Sequence, residues 1–112
     1  GSHASACLRA TGEILALCED VGRHNAMDKV LGILLKTSKL DTTDQYIGVV
    51  SGRVSYELVH KALLARMCIL VSLGAPSSLA IDLAKENGLT LVGFLKEDSF
   101  NIYTHHERIL LE

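Results

Sequence analysis

Residues 46–95 read "YIGVVSGRVSYELVHKALLARMCILVSLGAPSSLAIDLAKENGLTLVGFL", and their reading decides the fold. Residues 46–50 are a short, wholly apolar run of the kind a buried strand shows. Residues 55–66 follow with helical spacing, and "CILVSL" at 68–73 is a second apolar run. "GAPSSLAIDLAKENG" then reads as a helix, with Pro76 and Ser77 at its start and Gly88 as its stop. "LTLVGFL" at 89–95 is a third strand. Apolar strands alternating with helices predict a largely parallel sheet covered on both faces. The expected class is α/β, a three-layer α/β/α arrangement around a mixed sheet.

Working outward, residues 13–18 read as a strand, with Thr11 and Gly12 as a turn before it. Asp20 is placed to cap a helix running to about Lys36, because its carboxylate can accept first-turn amide protons. Met27, Val30, Leu31, Leu34 and Leu35 follow the helical rule and predict its core stripe. Downstream, "FNIYT" at 100–104 reads as a short last strand.

The composition narrows the function classes. At 112 residues the chain predicts one domain spanning 1–112, long enough for a real core. Hydrophobic residues make up 48% and charged residues 21%, which is globular rather than disordered composition. Without tryptophan, and with few aromatics, stacking platforms for single-stranded nucleic acid are not expected. A net charge of −2 offers no basic footprint for a phosphate backbone. No apolar run approaches the length of a membrane span, and the reading expects no nucleic-acid partner and no membrane partner. Cys7, Cys18 and Cys68 form no close pair, so neither a disulfide framework nor a four-cysteine zinc site is expected. Reduced thiols in the cytoplasm are the simplest reading. The opening "GSH" and closing "LE" have the look of expression-vector remnants.

Three strand-to-helix junctions carry the polar groups. In "EDVGRHNAMDK" at 19–29, Arg23 and His24 lie on the side of Met27 and Leu31, one turn earlier. Arg23 offers a planar fork for phosphate or carboxylate, and His24 and Asp28 have the spacing to share a hydrogen bond. A capping network of Asp20, Arg23 and Asp28 would account for the same residues. Ser51, Gly52 and Arg53 follow one buried strand, and Gly74, Ala75, Pro76, Ser77 and Ser78 follow the next. Small residues let backbone amides approach a ligand, and helix N-termini favour anions. Short, well-capped loops would look similar, and neither loop matches a P-loop or a GxGxxG fingerprint. Three such junctions at one sheet edge point to a phosphate-bearing ligand in the crevice beyond the strand ends.

Zinc deaminases need a histidine or cysteine ligand with a glutamate two residues on, then Pro-Cys-x-x-Cys. Here Asn25 and Ala26 follow His24, and "PSSLA" follows the glycine, so the layout resembles the cytidine-deaminase fold without its metal ligands. Tyr56, Glu57 and His60 read as ordinary surface or packing residues.

"GEILALCEDVGRHNAMDKVLG", "VVSGRVSYELVHKAL", "LGAPSSLAIDLAKENGLTLVGFLK" and "FNIYTHHERI" together resemble the formate dehydrogenase accessory sulfurtransferase (FdhD) family. "GSHASACL" resembles that family's Gly-x-His-x-x-Ala-Leu entry, which favours His3 as a native residue. The resemblance implies a carrier that takes sulfur from a cysteine desulfurase as a persulfide. The sulfur goes to the molybdenum cofactor, Mo-bis(molybdopterin guanine dinucleotide), for use by formate dehydrogenase. GDP would be a surrogate for that cofactor, and a two-armed ligand suits a homodimer. The family's sulfur-carrying Cys-Gly-x-Cys loop is not among these residues, so no catalytic role falls on the three cysteines. The chain would then be the carboxy-terminal, cofactor-binding part of a longer protein.

The family's guanine-dinucleotide segment, a Phe-x-Arg-type stretch, maps onto Phe94, Leu95, Lys96, Glu97, Asp98 and Ser99, with Asn101 and Tyr103 beyond. Lys96 stands where arginine is common. It neutralises a phosphate but cannot fork onto two oxygens. Ser99 replaces another often basic residue, and His106 a usual proline. Two rival readings are a metal-free small-molecule enzyme acting through His24 and Asp28, and a nucleotide-binding or purely structural module on a deaminase-like scaffold.

Overall fold

The computed structural model describes residues 3–37 and 45–109. In chain order the elements are β1 (His3–Arg9), β2 (Ile14–Asp20), α1 (Arg23–Thr37), β3 (Tyr46–Val50) and α2 (Tyr56–Leu64). Then come β4 (Met67–Ser72), α3 (Ser78–Glu86), β5 (Thr90–Gly93), β6 (Asn101–Thr104) and a 3-10 turn at His106–Arg108. The sheet runs β2-β1-β3-β4-β5-β6. β3, β4 and β5 are parallel, and the pairs β2/β1, β1/β3 and β5/β6 are antiparallel. The parallel character predicted from the apolar runs belongs to the centre of the sheet, and the flanks are antiparallel.

β1 has no counterpart in the sequence reading. His3, Ala4, Ser5 and Ala6 are small or polar, poor strand formers, and only pairing on both sides holds them extended. The first helix also starts later than expected. Asp20 Oδ1 accepts from the Gly22 amide at 3.0 Å, ahead of the helix rather than inside its first turn. The Gly22 carbonyl takes the first helical bond, from Ala26.

Alternation along the strands gives the sheet two different faces. Cys7, Ala16, Leu70 and Leu91 face a buried cluster that also contains Met27, Val30, Leu34, Leu58, Val59, Ala62, Ala80 and Ala84, drawn from all three helices. Leu31 packs at its margin, and the Leu35 side chain lies outside the described residues. The three crossovers advance in one direction across the sheet, so the right-handed rule puts α1, α2 and α3 on the same side. The expected second helical layer is therefore not formed by the described residues. The opposite face carries Leu17, Ala6, Val49, Val71, Val92 and Ile102 in one register row. Strands apolar on both sides led the sequence to predict helices on both faces, and among the described residues one apolar face has none. Among the described residues no helix is long and apolar enough to cross a membrane.

α2 and α3 begin as their sequences require. Ser55 Oγ accepts from Leu58 N at 3.3 Å, and Ser77 Oγ accepts from Ala80 N at 3.1 Å. Pro76 sits one residue before the α3 cap and bridges Val54 in parallel, rather than occupying the first helical position. Gly88, at φ +71°, turns the chain out of α3.

Candidate functional site

The carboxyl ends of β2, β3, β4 and β5 and the amino end of β1 meet at one edge of the sheet. There the loops after β3 and β4 are laced together. Val54 N donates to Ala75 O at 3.1 Å, and Ser77 N donates to Val54 O at 2.9 Å. The buried Ser72 hydroxyl faces the carbonyls of Gly74 at 2.7 Å and Gly52 at 3.1 Å. A Cβ on Gly74 would stand 3.0 Å from backbone atoms of Arg53 and Gly52, so only glycine lets the loops close this tightly.

This lacing brings the amino ends of α2 and α3 side by side over a cleft of about 380 Å³, lined by Arg23, Arg53, Val54, Ser55, Ala75, Pro76 and Ser77. A neighbouring cavity of about 570 Å³ is lined by Arg23, His24, Ser55, Tyr56, Glu57, Ser77 and Leu79. Three residues line both, so the two form one crevice. Two arginines and two helix N-termini make its inner part favourable for an anion.

Hydrogen bonding singles out the same place. Among the described residues, the buried side-chain polar atoms without a partner are His3 Nδ1, Ser5 Oγ, Arg23 Nε and His24 Nδ1. All four sit at this edge. Buried polar groups are normally bonded, and each one left unpaired costs about 1–3 kcal/mol. A ligand that accepts hydrogen bonds would remove that cost. His3 leans on the loop after β3, where a Cβ on Gly52 would come within 3.0 Å of its Nδ1.

Of the capping network weighed from the sequence, Asp20 alone takes part, with neither Arg23 nor Asp28. Asp20 Oδ2 pairs with Lys29 Nζ at 2.9 Å. That bond, with the Gly22 amide, holds the Asp20 carboxyl at about 2, well below its ordinary 3.8. Asn25 bonds Asp20 as well, so it belongs to this network and not to the crevice. The expected pairing of His24 with Asp28 does not form. Asp28 Oδ1 takes Lys61 Nζ at 2.7 Å, while His24 Nδ1 faces Glu57 Oε2 at 3.8 Å.

Other expected site residues are placed elsewhere. Ser51 Oγ accepts from Ala4 N at 2.8 Å and ties β3 to β1. Ser78 opens α3 without lining either cavity. Residues 94–99 pass beside the crevice rather than along its walls. Phe94 N donates to Gly74 O at 3.1 Å and Leu95 N to Ser72 O at 3.0 Å. Lys96 N reaches Ser99 O at 2.8 Å, closing the turn that carries Glu97 and Asp98. Phe94 holds φ +52°, a costly conformation for a bulky residue and one that functional loops often retain. Asn101 is exposed on β6, and Tyr103 packs against the core beside Gly93. Glu57, Tyr56 and Leu79 line the crevice, although the sequence reads the first two as ordinary surface or packing residues and does not single out Leu79. One exposed residue in a helix's first turn leaves no sequence signature.

A model of the FdhD/NarQ family matches residues 1–110. The chain belongs to that family. It is 51% identical over 110 residues to the sulfur carrier protein FdhD of Sulfurisphaera tokodaii, covering 98% of this chain and 43% of that protein. It is 53% identical over 109 residues to the sulfur carrier protein FdhD of Saccharolobus solfataricus, covering 97% and 42%. The chain thus spans under half the length of these curated relatives. A formate dehydrogenase accessory protein from Desulfotalea psychrophila superposes with a TM-score of 0.83 at 35% identity, covering 96% of this chain and 44% of that one. The guanine deaminase of Nitrosomonas europaea superposes at 0.69 with 15% identity, covering 85% and 66%, which bears on the fold alone. The deaminase-like layout expected from the sequence is present. Among the described residues no three or more His, Cys, Asp or Glu side chains gather as a metal-ligand set.

Proposed function

We propose that this FdhD/NarQ chain is the cofactor-binding part of a sulfur carrier that serves formate dehydrogenase. In this reading the crevice holds a guanine dinucleotide arm of Mo-bis(molybdopterin guanine dinucleotide), which is cargo here. The observation that carries it is the set of unpartnered nitrogens on His3, Arg23 and His24 beside a cleft lined by two arginines. Arg23 and Arg53 would hold phosphate oxygens, and Ser55 and Ser77 would keep the two helix N-termini aimed at them. When bound, the cofactor supplies the molybdenum centre that accepts sulfur. The residues of this chain bind and orient its nucleotide end.

The sulfur donor is proposed to be a cysteine desulfurase, and Cys7 and Cys68 are poor candidates to carry the persulfide. Burial pushes the Cys7 thiol up to about 11, with Arg9 opposing weakly. Burial also raises Cys68, whose Sγ faces the Tyr46 carbonyl at 3.5 Å. A thiol held in its protonated form is a weak nucleophile. A two-armed cargo also suits a homodimer in which each subunit presents the same crevice.

The reading is tested by calorimetric titration with GDP, alongside persulfide labelling with a desulfurase present. GDP is expected to bind without turnover, with Cys7 and Cys68 left unmodified. Failure of GDP to bind, or rapid selective loading of Cys7 or Cys68, would overturn it.

A further inference from the structure

The outer half of the crevice carries a feature that phosphate binding does not use. Tyr56 and Leu79 stand 47% and 63% exposed at a cavity of about 570 Å³. The Glu57 carboxylate lines the same cavity, 3.8 Å from His24 Nδ1. Its pairing with that imidazole is too long for a hydrogen bond, and the Glu57 side chain is 76% exposed. A carboxylate is acceptor-only, so it is satisfied by two donors lying side by side. Flat apolar walls suit a ring, and the adjoining anion cleft fixes which end of a ligand carries phosphate.

We infer that Glu57 is a specificity-determining residue that reads a ring bearing adjacent N–H donors, the N1–H and 2-amino edge of a guanine nucleotide. The inference rests on the nucleotide reading of the crevice and goes further by naming the residue that selects the base. Adenine presents an acceptor at N1 beside its 6-amino donor and sets a lone pair against the carboxylate. Hypoxanthine keeps N1–H but lacks the 2-amino group, so it meets only one carboxylate oxygen. A pterin ring shares the guanine edge. Without a diphosphate it would leave the arginine cleft empty, so a guanosine diphosphate is the better occupant.

The test titrates the wild-type chain and Glu57→Gln with GDP, IDP, ADP, pyrophosphate and neopterin. Wild type is expected to bind GDP roughly tenfold more tightly than IDP or ADP, the scale of one bidentate contact. Neopterin is expected to bind more weakly than GDP. Glu57→Gln should abolish the preference for GDP, weakening GDP while ADP and pyrophosphate bind at least as tightly as to wild type. Thermal melting of the same variant should stay near wild type, because the side chain is exposed. Tighter neopterin than GDP would overturn a guanosine diphosphate as the occupant Glu57 reads. Equal wild-type binding of GDP and IDP, or an undiminished preference in Glu57→Gln, would overturn the role of Glu57 alone. Absence of binding by every nucleotide and pyrophosphate would overturn it together with the nucleotide reading.

Discussion

The two ends of the sheet use the same kinds of side chain and treat them oppositely. At the end where β5 begins, Arg108 Nη1 donates to Gly88 O at 2.6 Å and to Thr90 Oγ1 at 3.0 Å. His105 there bonds Lys85 O through Nε2 at 2.7 Å and Glu107 through Nδ1 at 3.2 Å. Thr104 Oγ1, buried, donates to Leu89 O at 2.7 Å and accepts from Leu91 N at 2.9 Å. At the other end His3, His24 and Arg23 each keep a buried nitrogen without a partner. An arginine and a histidine that finish their bonds internally stabilise the fold. Their counterparts across the sheet leave bonds for something else to make. On the proposed reading, stability belongs to the first end and binding to the second, and substitutions should divide accordingly.

The largest stability effect is expected at the satisfied end. Thr104→Val keeps the shape but strands the Leu91 amide and the Leu89 carbonyl, costing about 1–3 kcal/mol. Chemical denaturation should show that loss, while GDP affinity of the folded protein stays at the wild-type value. A matching loss of affinity would break the division between the ends.

A smaller effect belongs to the turn before α1, which lies near the crevice but is internally satisfied. The Asp20 carboxyl sits at about 2 when folded against an ordinary 3.8, first because Lys29 bonds it and then because the Gly22 amide does. A depressed carboxyl stabilises the fold fully above about 3.8, and the contribution fades as the pH falls through about 2. Asp20→Asn should melt slightly lower than wild type at neutral pH and converge with it at the acid end. A constant gap across that range would contradict the pairing.

The same contrast separates what the sequence made legible from what it did not. The strands at 46–50 and 68–73 were readable because a short apolar run bounded by helical spacing suits a buried strand and little else. β1 was not, because "HASA" acquires strand geometry only from its two neighbours. The missing second layer was unreadable for a related reason: apolar outer positions such as Leu17 and Val49 show a face fit for covering, not the cover itself. Within the site, Arg23, His24, Arg53 and residues 75–77 were legible from their junctions after strands. The expected His24–Asp28 contact failed because four-residue spacing permits a pair, while Lys61 and Glu57 on α2 decide where each side chain turns. Glu57 itself became visible only when the start of α2 was set beside α1.

The most direct test of this division compares Arg23→Ala with Arg108→Ala, each measured by GDP titration and by thermal melting. Arg23→Ala is predicted to lose about 1.5–3 kcal/mol of GDP binding, the worth of a charged hydrogen bond, while its melting temperature holds. Arg108→Ala is predicted to melt earlier and to bind GDP as wild type does. If Arg23→Ala melts early with its affinity intact, Arg23 is a structural residue and the crevice is not the binding site.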